Sequence, residues 1–261
     1  MSQSVRPPFD AFADDYDRRF SHTTAATWLR ASVRERLGPH LRPGMSVLEL
    51  GCGTGEDAIW LQRHGCRVLA TDQSPAMLKK LGDKQGGGEI RTAVFDMASG
   101  TGQDLPAGFR ADLVFSNFGA VNCVADLAPV FALARSLLAR DGLVAFTAMG
   151  RFCLWETLWF GCRGRFRTAG RRWSGKARYA AGSDVHDVHY HRPSDMQSAA
   201  AGFERIGLFG IGSLLPTSEA FGLVERWPRT FERLARADRA IAGWTAGFSD
   251  HYLMILRKSA A

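Results

Sequence analysis

Residues 47–57 read VLELGCGTGED, an apolar run broken by a single acid, Glu49, and followed by three glycines two apart, Gly51, Gly53 and Gly55. A short continuous apolar run reads as a strand buried on both faces, and the Asp57 to His64 stretch behind the glycines reads as a helix stopped by Gly65. A glycine-rich bend between strand and helix lets a ligand approach the main chain and leaves the first helical amides open to it. The dinucleotide fingerprint G-x-G-x-x-G does not fit. The spacing here is G-x-G-x-G, and Glu56 stands where the third glycine would be, a carboxylate that would oppose a pyrophosphate. Glu49, just ahead of the first glycine, suits a cationic ligand group.

The same rhythm continues outward. MSVLEL, CRVLATD, EIRTAVFD, ADLVFSN and GLVAFTAM read as strands buried on both faces, which implies a parallel sheet. Between them Ser74 and Pro75 form an N-cap and first-turn pair for a helix through Leu81, and Asp126 starts another reaching Arg140 before Asp141-Gly142. Strand and helix alternate, so residues 45–150 predict a doubly wound α/β core. Asp72, at the end of the second strand, is placed to accept both hydrogen bonds of a ribose diol.

Four motifs, VLELGCGTG, ATDQSPAML, VFDM and DLVFSN, arrive in order, and over Phe9 to Met149 the chain resembles the class I S-adenosylmethionine-dependent methyltransferases, especially the small-molecule branch that includes the ubiquinone and menaquinone enzymes. The resemblance implies a Rossmann-like methyltransferase fold: a doubly wound, mostly parallel seven-stranded sheet with N-terminal helices and a helical lid. It also implies S-adenosylmethionine as cofactor and S-adenosylhomocysteine as product. By the same resemblance Glu49 and the loop Gly51, Cys52, Gly53, Thr54 and Gly55 hold the methionine part, Asp72 the ribose, and Gln73 and Met77 the adenine side. Asp96 takes the adenine amino group with Met97 packed nearby, Ser116, Asn117 and Phe118 line the boundary with the acceptor, and Tyr16 folds over the methionine end.

At 261 residues the chain is long enough for one α/β domain with a full core. We read residues 1–44 as an N-terminal helical cap, in which FDAFADDYDRRF is amphipathic enough to lie across the body. Residues 151–192 and 213–249 read as lid segments that choose the substrate. VHDVHYHRP looks extended, Ser194 caps a short helix to Gly202, FERIGLFGIG and HYLMILRK read as strands, and residues 217–248 are mostly helical. The five cysteines show no zinc spacing, nothing upstream of Pro7 resembles a signal segment, and no apolar run approaches the roughly 20 residues a membrane span needs. These features suggest a cytoplasmic protein with reduced thiols and no membrane span.

The net charge is +7, and residues 151–192, with eight Arg and one Lys against three acids, carry 9 − 3 = +6 of it. Ligand sites of parallel sheets lie beyond the carboxyl ends of the strands, where both lid segments would converge into a mostly enclosed acceptor pocket walled by Trp155, Trp159 and Phe160. Arginine forks match carboxylate or phosphate, so Arg171 and Arg172 suggest a small-molecule acceptor with an anionic group on an apolar or aromatic body. Methyl transfer needs a base only where the nucleophile carries a proton. His22, His189 and His251 are the catalytic candidates, with His191 beside them and Asp250 placed to orient His251. Alternate histidines in HDVHYH can chelate, but ordinary strand histidines are commoner and no metal is expected.

Two rivals belong to other classes. A nucleic-acid (RNA) methyltransferase suits the basic charge, but SNFGA lacks the prolines of base-amino methyltransferases, and charge confined to one segment is no extended groove. A protein of this fold that binds the cofactor without methylating is the second, since fold does not dictate chemistry. A dehydrogenase is a distant third.

Overall fold

A computed structural model describes residues 10, 13–85, 90–181 and 184–259. Phe9, where the resemblance begins, and most of the first twelve residues of the N-terminal cap lie outside them.

The helix α1 (Thr24–Leu37), capped by Thr23 Oγ1 accepting from Ala26 N, leads into β1 (Ser46–Leu50), α2 (Glu56–Arg63), β2 (Arg67–Asp72), α3 (Pro75–Gln85), β3 (Arg91–Val94), β4 (Ala111–Ser116) and α4 (Ala128–Leu137). Then follow β5 (Leu138–Met149), α5 (Leu154–Gly161), α6 (Phe166–Ala169), a hairpin of β6 (Lys176–Ala181) and β7 (Asp184–His189), α7 (Pro193–Ala199), β8 (Phe203–Ile211), α8 (Gly222–Arg226), α9 (Pro228–Thr245) and β9 (His251–Lys258).

The seven-stranded sheet has the order β3-β2-β1-β4-β5-β9-β8. Five neighbouring strands run parallel and β9 lies antiparallel between β5 and β8. The order reverses between β1 and β4, which sets the switch point of the sheet beside the glycine turn. Val47, Leu48 and Leu50 of β1, Leu113, Val114 and Phe115 of β4, and Val144, Ala145 and Phe146 of β5 are buried, so the central strands face helices on both sides.

Several expectations are corrected. β3 is the edge strand and is largely exposed, with Val94 at the surface, so EIRTAVFD is not buried on both faces. The helix from Asp126 stops at Leu137, because Leu138 already pairs with Ala111 and the chain turns at Asp141, where φ is +60°. The cap of α7 is Arg192, not Ser194: Pro193 takes the first helical position and Asp195 reaches back to accept from Arg192 N at 3.0 Å. Within residues 213–249, α9 packs along β8 as an ordinary flanking helix, with buried Asp238 accepting from the amides of Gly212, Ser213 and Leu214.

Candidate active site

The carboxyl ends of β1, β2 and β4 open into a cavity of about 630 Å³, within the range of small-ligand sites. The bend after β1 is built by glycine for a physical reason at two positions. Gly51 has φ +69°, and a Cβ there would fall 2.4 Å from Ala120 Cβ; Gly55 has φ +84°, and a Cβ there would fall 2.2 Å from Leu81 Cδ1. Gly51 keeps the turn against the loop after β4, while Gly55 lets α2 start against α3.

Glu49 sits at the tip of β1, fully buried, with Oε2 unpartnered. Burial and the facing Asp57 push its carboxyl well above the usual range. Asp57, in the first turn of α2, is opposite in character. Burial pushes it up too, but Arg30 and Arg34 overcome that and hold it low; Arg34 Nε donates to Oδ1 at 2.9 Å, Asn117 Nδ2 donates to Oδ2 at 2.8 Å, and Arg30 also donates to Oδ2. Arg30 lines the same cavity, stacks over Phe118 at 5.1 Å and has a buried, unpartnered Nε. No motif in the sequence marks Arg30, because its partners are 27 residues and more away.

Asp72 ends β2, where Oδ2 accepts from Gly53 N and Oδ1 from Ser74 N, each at 2.9 Å; burial raises its carboxyl. Each oxygen keeps a lone pair for a further donor. Asp96 caps its own turn, accepting from Ala98 N at 2.9 Å and Ser99 Oγ at 2.7 Å, and still lines the cavity beside Met97. Gln73, Met77, Cys52, Thr54 and Asn117 also line it, as does the half-buried Tyr16, whose phenol is pushed up to about 12 by desolvation and so stays neutral. Phe118 holds a left-handed backbone at φ +46°, an unusual conformation for a bulky residue and common where sites store strain.

Ser116 and Gly55 do not line the cavity. Ser116 Oγ donates to Leu50 O at 2.8 Å and ties β4 to β1, and Gly55 serves the packing of α2.

Of the histidines, His251 opens β9 at the cavity wall, its ring 5.3 Å from Phe118 and edge-on to it. Its Nδ1 lies 3.1 Å from Asp250 Oδ2, at ion-pair distance but off the line of a hydrogen bond. His189 lines the cavity, its carbonyl accepting from Asn122 Nδ2 at 2.6 Å. His22 is corrected: it lies outside the cavity, 3.3 Å from Glu56 Oε1, with its side chain 60% exposed. It converges with Asp17 and Glu56 at ligand spacing, but Lys84 Nζ already sits 2.7 Å from both carboxylates. His191 is structural, bonded through Nε2 to Val124 O at 2.9 Å.

The aromatic lid residues are corrected as well. Trp155, Trp159 and Phe160 do not face the cavity; Trp155 stacks on Trp159 at 6.3 Å and meets Phe231 of α9 edge-on at 6.2 Å, packing α5 against the main core. Arg171 and Arg172 do reach the cavity, but their forks are filled. Glu156, buried in α5, accepts from both, with Arg171 Nη2 also 2.5 Å from Glu219 and Arg172 Nη2 2.7 Å from Asp250.

A family model described as a methyltransferase domain matches residues 20–202. A demethylmenaquinone methyltransferase from Symbiobacterium thermophilum is 30% identical over 108 residues, 40% of this chain, and the chain spans only 42% of that relative's length. Two solved structures are similar in fold. The CcbJ methyltransferase from Streptomyces caelestis gives a TM-score of 0.64 at 17% identity, covering 99% of this chain and 100% of its own. An S-adenosylmethionine dependent methyltransferase from Mesorhizobium loti gives 0.57 at 18% identity, covering 88% and 100%.

Proposed function

Because the chain belongs to the methyltransferase-domain family, whose methyl donor is S-adenosylmethionine, we propose that it methylates a small molecule held in the cavity above the glycine turn. The observation that carries this reading is a matched pair of orphans: Glu49 Oε2 and Arg30 Nε are buried, unpartnered, and close enough for their charges to act on each other. One accepts and one donates, which suits an ammonium and a carboxylate on one amino-acid end.

On this reading Glu49 and Arg30 hold the zwitterion of the cofactor, with the loop from Gly51 to Thr54 against its chain. Asp72 takes the ribose diol, while Gln73, Met77, Asp96 and Met97 enclose the adenine. Tyr16 covers the methionine end, and Asn117 and Phe118 stand between cofactor and acceptor. When bound, the cofactor supplies a methyl group on a sulfonium, so the chain's own work is to orient the acceptor, exclude water and take a proton where the nucleophile carries one. His251 is the base we assign. With Nδ1 facing Asp250, Nε2 is the atom that accepts the proton.

Phe20, Leu29, Phe118, Val188, Tyr190 and Phe221 give the cavity apolar and aromatic walls, which suits an acceptor with a body of that kind. An anionic acceptor group reaches Arg171 only by displacing Glu219, whose side chain is 37% exposed.

Calorimetric titration with S-adenosylhomocysteine tests the cofactor half. Binding is expected, and Glu49→Gln should weaken it by about 10- to 100-fold, the worth of one charge-assisted hydrogen bond. No binding by the folded protein would overturn the reading. Release of S-adenosylhomocysteine coupled to labelled product, across a panel of phenols, alcohols, amines and carboxylic acids, tests the acceptor half; label arriving on RNA instead would reject the small-molecule assignment.

A further inference from the structure

We propose that the insertion from Phe152 to Trp173 is a docking surface for an anionic lipid bilayer, on which the protein lies without crossing it. Eight large apolar side chains are exposed among the described residues, and five of them, Phe152, Leu154, Leu158, Phe166 and Trp173, fall in this one insertion. Phe166 is 74% exposed and Trp173 57%. Leu154 and Leu158 lie one turn apart on α5, while the same helix buries Glu156 and Phe160 toward the protein. The rings of Phe152 and Trp173 approach to 6.5 Å, which joins the start of α5 to the chain leaving α6. Water gains nothing from such a surface, and concentrated exposed apolar groups mark an interaction site.

The charge says which partner. Arg163, Arg165 and Arg167 are interleaved with these side chains and exposed, and among the described residues no acid pairs with them. Arg163 lies 3.2 Å over the Trp159 ring and Arg165 4.7 Å over Phe160, so the cations ride on aromatic surface. A second copy docked two-fold would bring this arginine cluster against itself. A nucleic acid would take the arginines and the rings but offer Leu154 and Leu158 nothing. A bilayer takes both: phosphate headgroups for the guanidinium groups, and the acyl boundary for the leucines and rings. No helix among the described residues is long and apolar enough to cross a membrane. Arg171 and Arg172, at the end of the same insertion, line the cavity, so the docked face adjoins the site.

The test is co-sedimentation of the full chain with sucrose-loaded vesicles of phosphatidylcholine, alone or mixed with phosphatidylglycerol. Pelleting is expected with the anionic vesicles and not with the neutral ones. The triple variant Arg163→Gln, Arg165→Gln, Arg167→Gln should weaken it by about 100-fold, and Phe166→Ser with Trp173→Ser by at least about tenfold. Brominated acyl chains should quench wild-type fluorescence more than that of Trp173→Phe. Unchanged S-adenosylhomocysteine binding in each variant verifies the fold and separates this inference from the catalytic reading. Equal pelleting with both vesicles, or none with either, overturns it. So does self-association that the same substitutions abolish, which would give the surface to a second copy, or retention by RNA in preference to vesicles.

Discussion

Burial and the facing Asp57 raise the Glu49 carboxyl, so the ligand-free fold holds that proton more tightly than an unfolded chain does. The stability this group contributes is therefore present below the ordinary glutamate value of 4.5 and is lost as pH rises through the raised one. An ammonium group arriving at Oε2 reverses the preference. S-adenosylhomocysteine should bind with release of a proton and with affinity rising with pH above 4.5 until the raised value is passed. Calorimetry in buffers of different ionisation heat reads the proton directly, and Glu49→Gln should make the heat independent of buffer. Two glycines four residues apart give a second contrast at this scale. Gly55→Ala meets both a left-handed φ of +84° and Leu81 at 2.2 Å, so urea unfolding should show a loss of about 1–3 kcal/mol. Because Gly55 stands outside the cavity, cofactor affinity should stay nearly constant. Gly51→Ala, pressed against Ala120 where the cavity begins, should lose stability and affinity together.

At the scale of elements, one buried carboxylate ties the insertion carrying α5 and α6 to the sheet. Glu156 of α5 holds Arg171 and Arg172, and Arg172 passes the connection to Asp250 at the start of β9. Removing one partner from a buried ion pair costs about 3–5 kcal/mol because the other charge is stranded. Glu219 and Asp250 still face the two arginines, so Glu156→Gln should fall near the lower end in urea unfolding; a loss below about 0.5 kcal/mol, within the range of ordinary surface changes, would mean that the network does not hold the insertion. Asp250 sets the acid side. Burial raises its carboxyl, but His251 and Arg172 overcome that and hold it below the ordinary 3.8, so its contribution is present above that value and fades as pH falls through the lower one. Asp250→Asn should flatten the acid limb of the stability profile. These elements also mark where sequence reading stops. β1, β2, β4, β5 and the glycine turn were legible because local pattern alone dictates them. The filled arginine forks were not: Glu219 lies 48 residues from Arg171 and Asp250 78 residues from Arg172, and neither chain spacing nor charge count reports that pairing. Arg30, Asp57 and the structural uses of Ser116 and His191 were missed for the same reason, since each is decided by what the fold brings opposite it.

Across the whole molecule, three pieces that are distant in sequence close over the carboxyl end of the sheet: the segment 13–22, residues 171–172 with 186–190, and the turn 217–221. They are not held equally. The central strands are buried on both faces, and the insertion carrying α5 and α6 hangs on the Glu156 network. The segment 13–22 is fastened to α3 mainly by Asp14–Lys80 and Asp17–Lys84, with Thr54 donating to Asp17. The first pair is exposed and the second half-buried, and neither is sealed from solvent, so both are individually weak and screened by salt. The segment carrying Tyr16 should therefore open far more readily than β1 or β4. If each opening also breaks the cofactor site, ligand at 100 times its Kd should slow amide exchange in 13–22 by about 100-fold, and exchange in β4, which needs global unfolding, should slow by the same factor from a far slower starting rate. Hydrogen exchange with and without S-adenosylhomocysteine, at low and high salt, makes the comparison. Salt should speed exchange of 13–22 in the ligand-free protein and weaken cofactor binding in step. Protection of 13–22 equal to that of β4 without ligand, or exchange there indifferent to both ligand and salt, would show that the cofactor enters by another side of the cavity.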